Sequence, residues 1–152
     1  MKNLFFAVIL LTGMLTIYSC KKAGCTDPNA KNYNSKDNTN DGSCIYQGNI
    51  IFWWNQVYTD SAQSFGIPTA YIYINGTLSG TGLVSSTYWN SPPSCSANGS
   101  ISFTEQLGSL KSQVYNYLVT DFPGTGDTLA IGSITVTGNG CSQIQLPVSV
   151  FY

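Results

Sequence analysis

The stretch Ala70-Tyr71-Ile72-Tyr73-Ile74-Asn75-Gly76 decides the fold class of this chain. Its first five residues alternate. Ala70, Ile72 and Ile74 fall on one side of an extended chain and Tyr71 and Tyr73 on the other, because successive strand side chains point to opposite faces. Asn75-Gly76 then supplies the two positive-φ positions of a type I′ turn, a strong short-range hairpin signal. A half-buried strand that ends in a tight turn is the unit of an antiparallel sheet, with one face in a core and the other in water.

Working outward, similar signals recur. Ile50-Ile51-Phe52-Trp53-Trp54 is β-branched and aromatic throughout. Further strands are expected at Leu83–Trp89, Ser100–Thr104, Gln113–Thr120 and Leu129–Thr137. A last one, Ile144–Val150, would place Ile144, Leu146, Val148 and Val150 on one face. Pro147 lacks an N–H and predicts an edge strand or a bulge there. About seven short strands between turns predict an all-β fold, an antiparallel immunoglobulin-like β-sandwich over residues 47–152, with a small barrel as the alternative.

Composition agrees with an extracellular β-protein. Only 9% of the residues are charged and 13% are aromatic, and there is no His. Soluble domains average roughly 25% charged residues. All basic residues are lysines, and after Lys36 only Lys111 remains. A basic footprint for nucleic acid is therefore missing.

The N-terminus reads as an export signal. Met1-Lys2-Asn3 is a short basic start, Leu4 to Tyr18 is almost wholly apolar, and Ser19 precedes Cys20. The run is shorter than the roughly 20 apolar residues that span a bilayer, which favours cleavage over an uncleaved anchor. Ile17-Tyr18-Ser19-Cys20 resembles a lipobox, the site at which bacterial lipoproteins are lipidated on Cys and cleaved before it. The resemblance implies a signal peptide at 1–19, lipid on Cys20, a tether at 20–24, and a membrane partner reached through that lipid. The implied location is the outer membrane. Lys21-Lys22 lacks the acidic residues that direct surface display in some related lipoproteins, so surface and periplasmic faces both stay open.

The chain has five cysteines, and lipidation of Cys20 would leave an even number for an oxidising compartment. Cys25, Cys44, Cys95 and Cys141 allow three pairings. Cys25 and Cys44 bracket one compact Asn/Asp-rich segment, which favours Cys25–Cys44 with Cys95–Cys141. The alternative leaves Cys95 and Cys141 as free, buried thiols.

That segment, residues 25–46, reads Cys25-Thr26-Asp27-Pro28-Asn29-Ala30-Lys31-Asn32-Tyr33, then Asp41-Gly42-Ser43-Cys44-Ile45-Tyr46. It resembles a cysteine-bounded repeat of envelope and secreted proteins, Gly-Cys-Thr-Asp-Pro-x-Ala-x-Asn-Tyr…Asp-Gly-Ser-Cys-x-Tyr. The resemblance implies a small disulfide-closed spacer. Asp37, Thr39 and Asp41 before Gly42 also match the first half of a calcium loop. The bidentate Glu of an EF-hand is missing, and Gly48 stands in its place. The competing reading is an ordinary Asn/Asp/Gly turn. No cofactor is expected apart from Ca2+ in the first of these readings.

The larger domain resembles, more distantly, a β-sandwich of bacterial lipoproteins. The resemblance rests on Asn49-Ile50-Ile51-Phe52-Trp53, on Pro93-Ser94-Cys95, and on Gly138-Asn139-Gly140-Cys141-Ser142-Gln143-Ile144-Gln145-Leu146. It implies the sandwich and the Cys95–Cys141 pair, and no activity.

Ligand-binding candidates are aromatic: Trp53, Trp54, Tyr71, Tyr73 and Trp89. Rings on an exposed sheet face would offer a platform for a sugar or a protein. The competing reading is that many of them fill the core. Within Trp53-Trp54 the side chains must face opposite ways, so one is expected inside and the other exposed or beneath a loop. The domain's acids, Asp60, Glu105, Asp121 and Asp127, show no spacing that demands a catalytic pair. Without His the usual general base and triad are excluded. The expectation is a non-enzymatic binding, structural or adhesion module, with a glycan or an envelope protein as partner. A small glycoside-active enzyme is a distant alternative.

Overall fold

A computed structural model describes residues 21–151; the expected signal peptide and Cys20 lie outside the described residues. The chain forms β1 (Ala23–Gly24), β2 (Thr39–Asn40), β3 (Tyr46–Trp53), α1 (Gln56–Ser64), β4 (Thr69–Ile74), β5 (Thr77–Leu83), β6 (Ile101–Gly108), β7 (Ser112–Thr120), β8 (Thr128–Thr137) and β9 (Cys141–Gln145), then a 3-10 turn, Val148–Phe151. Apart from the two-residue pair β1-β2, the strands make two sheets, ordered β6-β3-β9 and β5-β4-β7-β8.

The two sheets pack as a sandwich around one core. Ile50, Phe52 and Trp54 project from one sheet, and Ala70, Ile72, Ile74, Val119 and Val136 from the other. Phe52 meets Tyr117 edge-on across the core, with ring centroids 5.4 Å apart. The strand order differs from the immunoglobulin arrangement, whose sheets are ABED and CFG. Here the first long strand, β3, sits in the middle of its sheet. It pairs antiparallel with β6 and parallel with β9. Burial on both faces explains its near-continuous apolar sequence, and the burial is visible in Ile50, Ile51 and Phe52, all fully enclosed.

The hairpin β4-β5 turns at Asn75 (φ 48°) and Gly76 (φ 80°) as the sequence predicts. β5 then runs through Thr77–Leu83. Of the strand expected at Leu83–Trp89 only Leu83 is extended, as the last residue of β5, and the rest begins the long β5–β6 connection. Gly80 and Gly82 serve a close approach. A Cβ at Gly82 would lie 2.3 Å from the Ile101 side chain, so any larger residue there would force Ile101 to move where edge strand β5 meets β6. The strand expected at Ile144–Val150 also stops early. Ile144 and Leu146 are buried as expected, but Pro147 ends the pairing and the chain turns at Val148.

The helix α1 departs from the all-strand expectation. Asn55 caps it, its side chain accepting from the Tyr58 N–H at 2.9 Å, and Tyr58 and Ala62, one turn apart, are buried beneath it. The β5–β6 connection crosses the outer face of the three-stranded sheet. The Cys95–Cys141 disulfide holds it there, together with the Gln143 amide donating to the Pro93 carbonyl at 2.8 Å. Trp53 and Ile51 lie on that outer face. Trp54 is wholly enclosed on the inner one, and Trp53 remains 7% exposed.

Candidate functional site

The Asn/Asp-rich segment is closed by Cys25–Cys44. It is docked on the sandwich rather than strung before it. Cys25, Ala30, Cys44 and Tyr46 belong to the same buried cluster as the sandwich core. At the junction, Asp27 accepts from the Tyr46 hydroxyl at 2.8 Å and pairs with Lys111 at 2.7 Å. Its other oxygen accepts the Asn29 N–H at 3.0 Å. The Lys111 ammonium first, then the Asn29 amide and the Tyr46 hydroxyl, lower the Asp27 pKa to about 2. The expected tether is engaged too, since the Lys22 carbonyl accepts the Asn38 and Thr39 N–H groups.

The residues proposed as calcium ligands do not converge. Asp37 pairs with Lys22 at 3.1 Å and accepts from the Asn34 amide. Asp41 accepts the Ser43 N–H at 2.9 Å, a local Asx turn. Thr39 points its hydroxyl at the Asn38 side chain. Among the described residues no cluster of three His, Cys, Asp or Glu is placed to hold a metal ion.

The aromatic candidates separate into two groups. Trp53 and Trp54 are buried, and Trp54 donates its indole N–H to the Thr87 carbonyl. Trp89 packs edge-on against Trp54 at 5.3 Å and donates its N–H to the Trp54 carbonyl. Trp54 and Trp89 tie down the β5–β6 connection, and with Trp53 buried these rings offer no free platform. Tyr71 and Tyr73 are half-buried on the outer face of the four-stranded sheet, and the Tyr73 hydroxyl accepts the Gly124 N–H at 2.8 Å.

Register shows what surrounds them. Tyr73 stands opposite Leu78 on β5 and Leu118 on β7, and Leu118 stands opposite Ile131 on β8. Residues directly opposite share a face, so Leu78, Tyr73, Leu118 and Ile131 form one row across all four strands. Leu78 is 47% exposed and Ile131 75%, with Phe122 at 61% in the adjoining β7–β8 loop. No strand of this sheet carries a charged residue. Leu78, Leu118, Ile131 and Phe122 were not singled out from sequence. For Ile131 a signal existed: alternation that puts Ile134 and Val136 inside leaves Ile131 outside.

Concavities are slight by comparison. One of 340 Å³ lies at the Asp27–Tyr46–Lys111 junction and one of 320 Å³ between β5 and the start of β6, at the bottom of the range for small-molecule pockets. Asp60 lies on α1 and Glu105 on β6, while Asp121 and Asp127 share the β7–β8 connection, where the Asp121 N–H donates to the Asp127 carbonyl at 3.2 Å. No family model, curated protein or solved structure matches this chain.

Proposed function

We propose that the chain is a non-enzymatic envelope lipoprotein that loses residues 1–19, is anchored by lipid on Cys20 in the outer membrane, and offers the outer face of its four-stranded sheet to a protein partner. The observation that carries the partner is the row Leu78–Tyr73–Leu118–Ile131, exposed at Leu78 and Ile131, half-buried between them, and set in strands that carry no charge. Exposed apolar patches mark interaction sites. Aliphatic side chains at both ends suit a protein surface, since sugar rings are held chiefly by aromatic faces.

A second reading, a carbohydrate-binding accessory lipoprotein, draws on Tyr71, Tyr73 and Phe122 on or beside that face. One pair of variants separates the two. Ile131→Lys should abolish co-purification with a defined envelope protein while leaving glycan-array signals untouched, and Tyr71→Ala should do the reverse under the carbohydrate reading. Retained protein association in Ile131→Lys would sink the proposal.

A further inference from the structure

After residue 20 the lysines of this molecule gather at one end, among the acids Asp27, Asp37, Asp41 and Glu105, whereas the far end carries acids and no lysine. The lysines after residue 20 are Lys21, Lys22, Lys31, Lys36 and Lys111. The first four lie in or directly before the disulfide-closed segment, and Lys111 lies in the β6–β7 turn docked on it. β7 leaves that turn and runs nine residues to Asp121, about 30 Å of extended chain. Asp121 and Asp127 bracket the loop at that far end. Asp60 is there too, on the helix that follows the far end of β3.

Two of the lysines are spent internally, Lys22 on Asp37 and Lys111 on Asp27. Lys21, Lys31 and Lys36 are exposed and join no ion pair among the described residues. Exposed apolar residues stand among them: Tyr33, Ile45 and, in the turn beside Lys111, Leu110. The Lys31 N–H donates to the Ile45 carbonyl at 2.8 Å. The Asn32 side chain donates to the Ser43 carbonyl and accepts the Ile45 N–H. Lys31, Tyr33 and Ile45 therefore share one ledge of hydrogen-bonded backbone. Lysine together with tyrosine and aliphatic side chains is the composition of a surface resting at a lipid–water interface.

We infer that this end of the molecule is a membrane-contact surface for anionic lipid headgroups, with Lys21, Lys31 and Lys36 as its cationic contacts and Tyr33, Ile45 and Leu110 as its apolar ones. The inference rests on the lipid-anchor reading of Cys20. The described chain starts one residue after that cysteine, and the Lys22 main chain is already fixed by Asn38 and Thr39. Two residues span at most about 7 Å, so a lipid on Cys20 would bring this end, and no other, to the bilayer. Anionic headgroups complement its unpaired lysines and repel the acidic far end.

The test uses the full chain expressed with its own leader and reconstituted in phosphatidylethanolamine/phosphatidylglycerol nanodiscs that carry a gadolinium-chelating lipid. Mass spectrometry first establishes lipid on Cys20. NMR line broadening should then be several-fold stronger for amides of residues 29–45 and 109–111 than for residues 122–126. In the triple variant Lys21→Glu, Lys31→Glu, Lys36→Glu, still lipidated and with both disulfides confirmed by peptide mapping, that contrast should shrink markedly, to what the Cys20 anchor alone imposes. Equal broadening at both ends of a lipidated protein, or an unchanged contrast in the triple variant, overturns the inference while leaving the anchor intact. Absence of lipid on Cys20 overturns the anchor, and the inference with it.

Discussion

Asp27 shows how much a single side chain can organise. It joins the Cys25–Cys44 segment to β3 through Tyr46 and to the β6–β7 turn through Lys111. Its pKa of about 2 lies below the ordinary 3.8, so the stability it contributes is complete above pH 3.8 and is lost as pH falls towards 2. Lys111→Met should raise the Asp27 pKa towards 3.8, read from the carboxyl chemical shift in an NMR titration. An unchanged titration would mean that the ammonium is not the main cause. The tryptophans give a second residue-scale expectation. Trp54 is enclosed on the inner face, so Trp54→Ala should cost about 3–5 kcal/mol in urea unfolding. Tyr71→Ala, half-buried on an outer face, should cost clearly less. Sequence alternation alone anticipated that Trp53 and Trp54 face opposite ways, and only Trp54 joins the core cluster. It could not name which ring would be enclosed in the core, nor show that both would be buried.

At the level of elements, the hairpin β4-β5 was legible because its turn is local chemistry. Asn75 and Gly76 carry the required positive φ within two adjacent residues. Gly76→Ala should therefore destabilise by about 1–2 kcal/mol through left-handed backbone strain, measured as a lower denaturant midpoint. A neutral substitution there would contradict the turn. β5 itself was misplaced because Thr77–Leu83 has few β-branched or aromatic residues. Its glycines answer to Ile101 and Phe103 on another strand, which no local pattern reveals. α1 escaped for a related reason: over nine residues, only Tyr58 and Ala62 mark an apolar stripe, too few to set a helical period. The candidate row on the four-stranded sheet belongs to the same class. Tyr71 and Tyr73 were readable from their own strand, whereas Leu78, Leu118 and Ile131 join them only through register.

Across the whole molecule, the segment at 25–46 and the sandwich share one buried cluster that runs from Cys25 to Leu146. Sequence suggested a spacer because the segment is polar and disulfide-closed, and nothing near Asp27 announces its partner Lys111 far downstream. Shared burial makes the two parts one cooperative unit. Closing a loop between residues separated by 19 positions stabilises by about 3 kcal/mol in the chain-entropy model. In a docked segment that amount should be felt by the sandwich as well. Cys25→Ser with Cys44→Ser should lower the unfolding midpoint of the entire protein, with Trp fluorescence and far-UV circular dichroism moving together in one transition. All three tryptophans lie in the sandwich, so their fluorescence reports on that part alone. An unshifted tryptophan transition would show that the segment hangs free, and the bilayer-facing end proposed above would lose the rigid connection through which a lipid could orient the binding face.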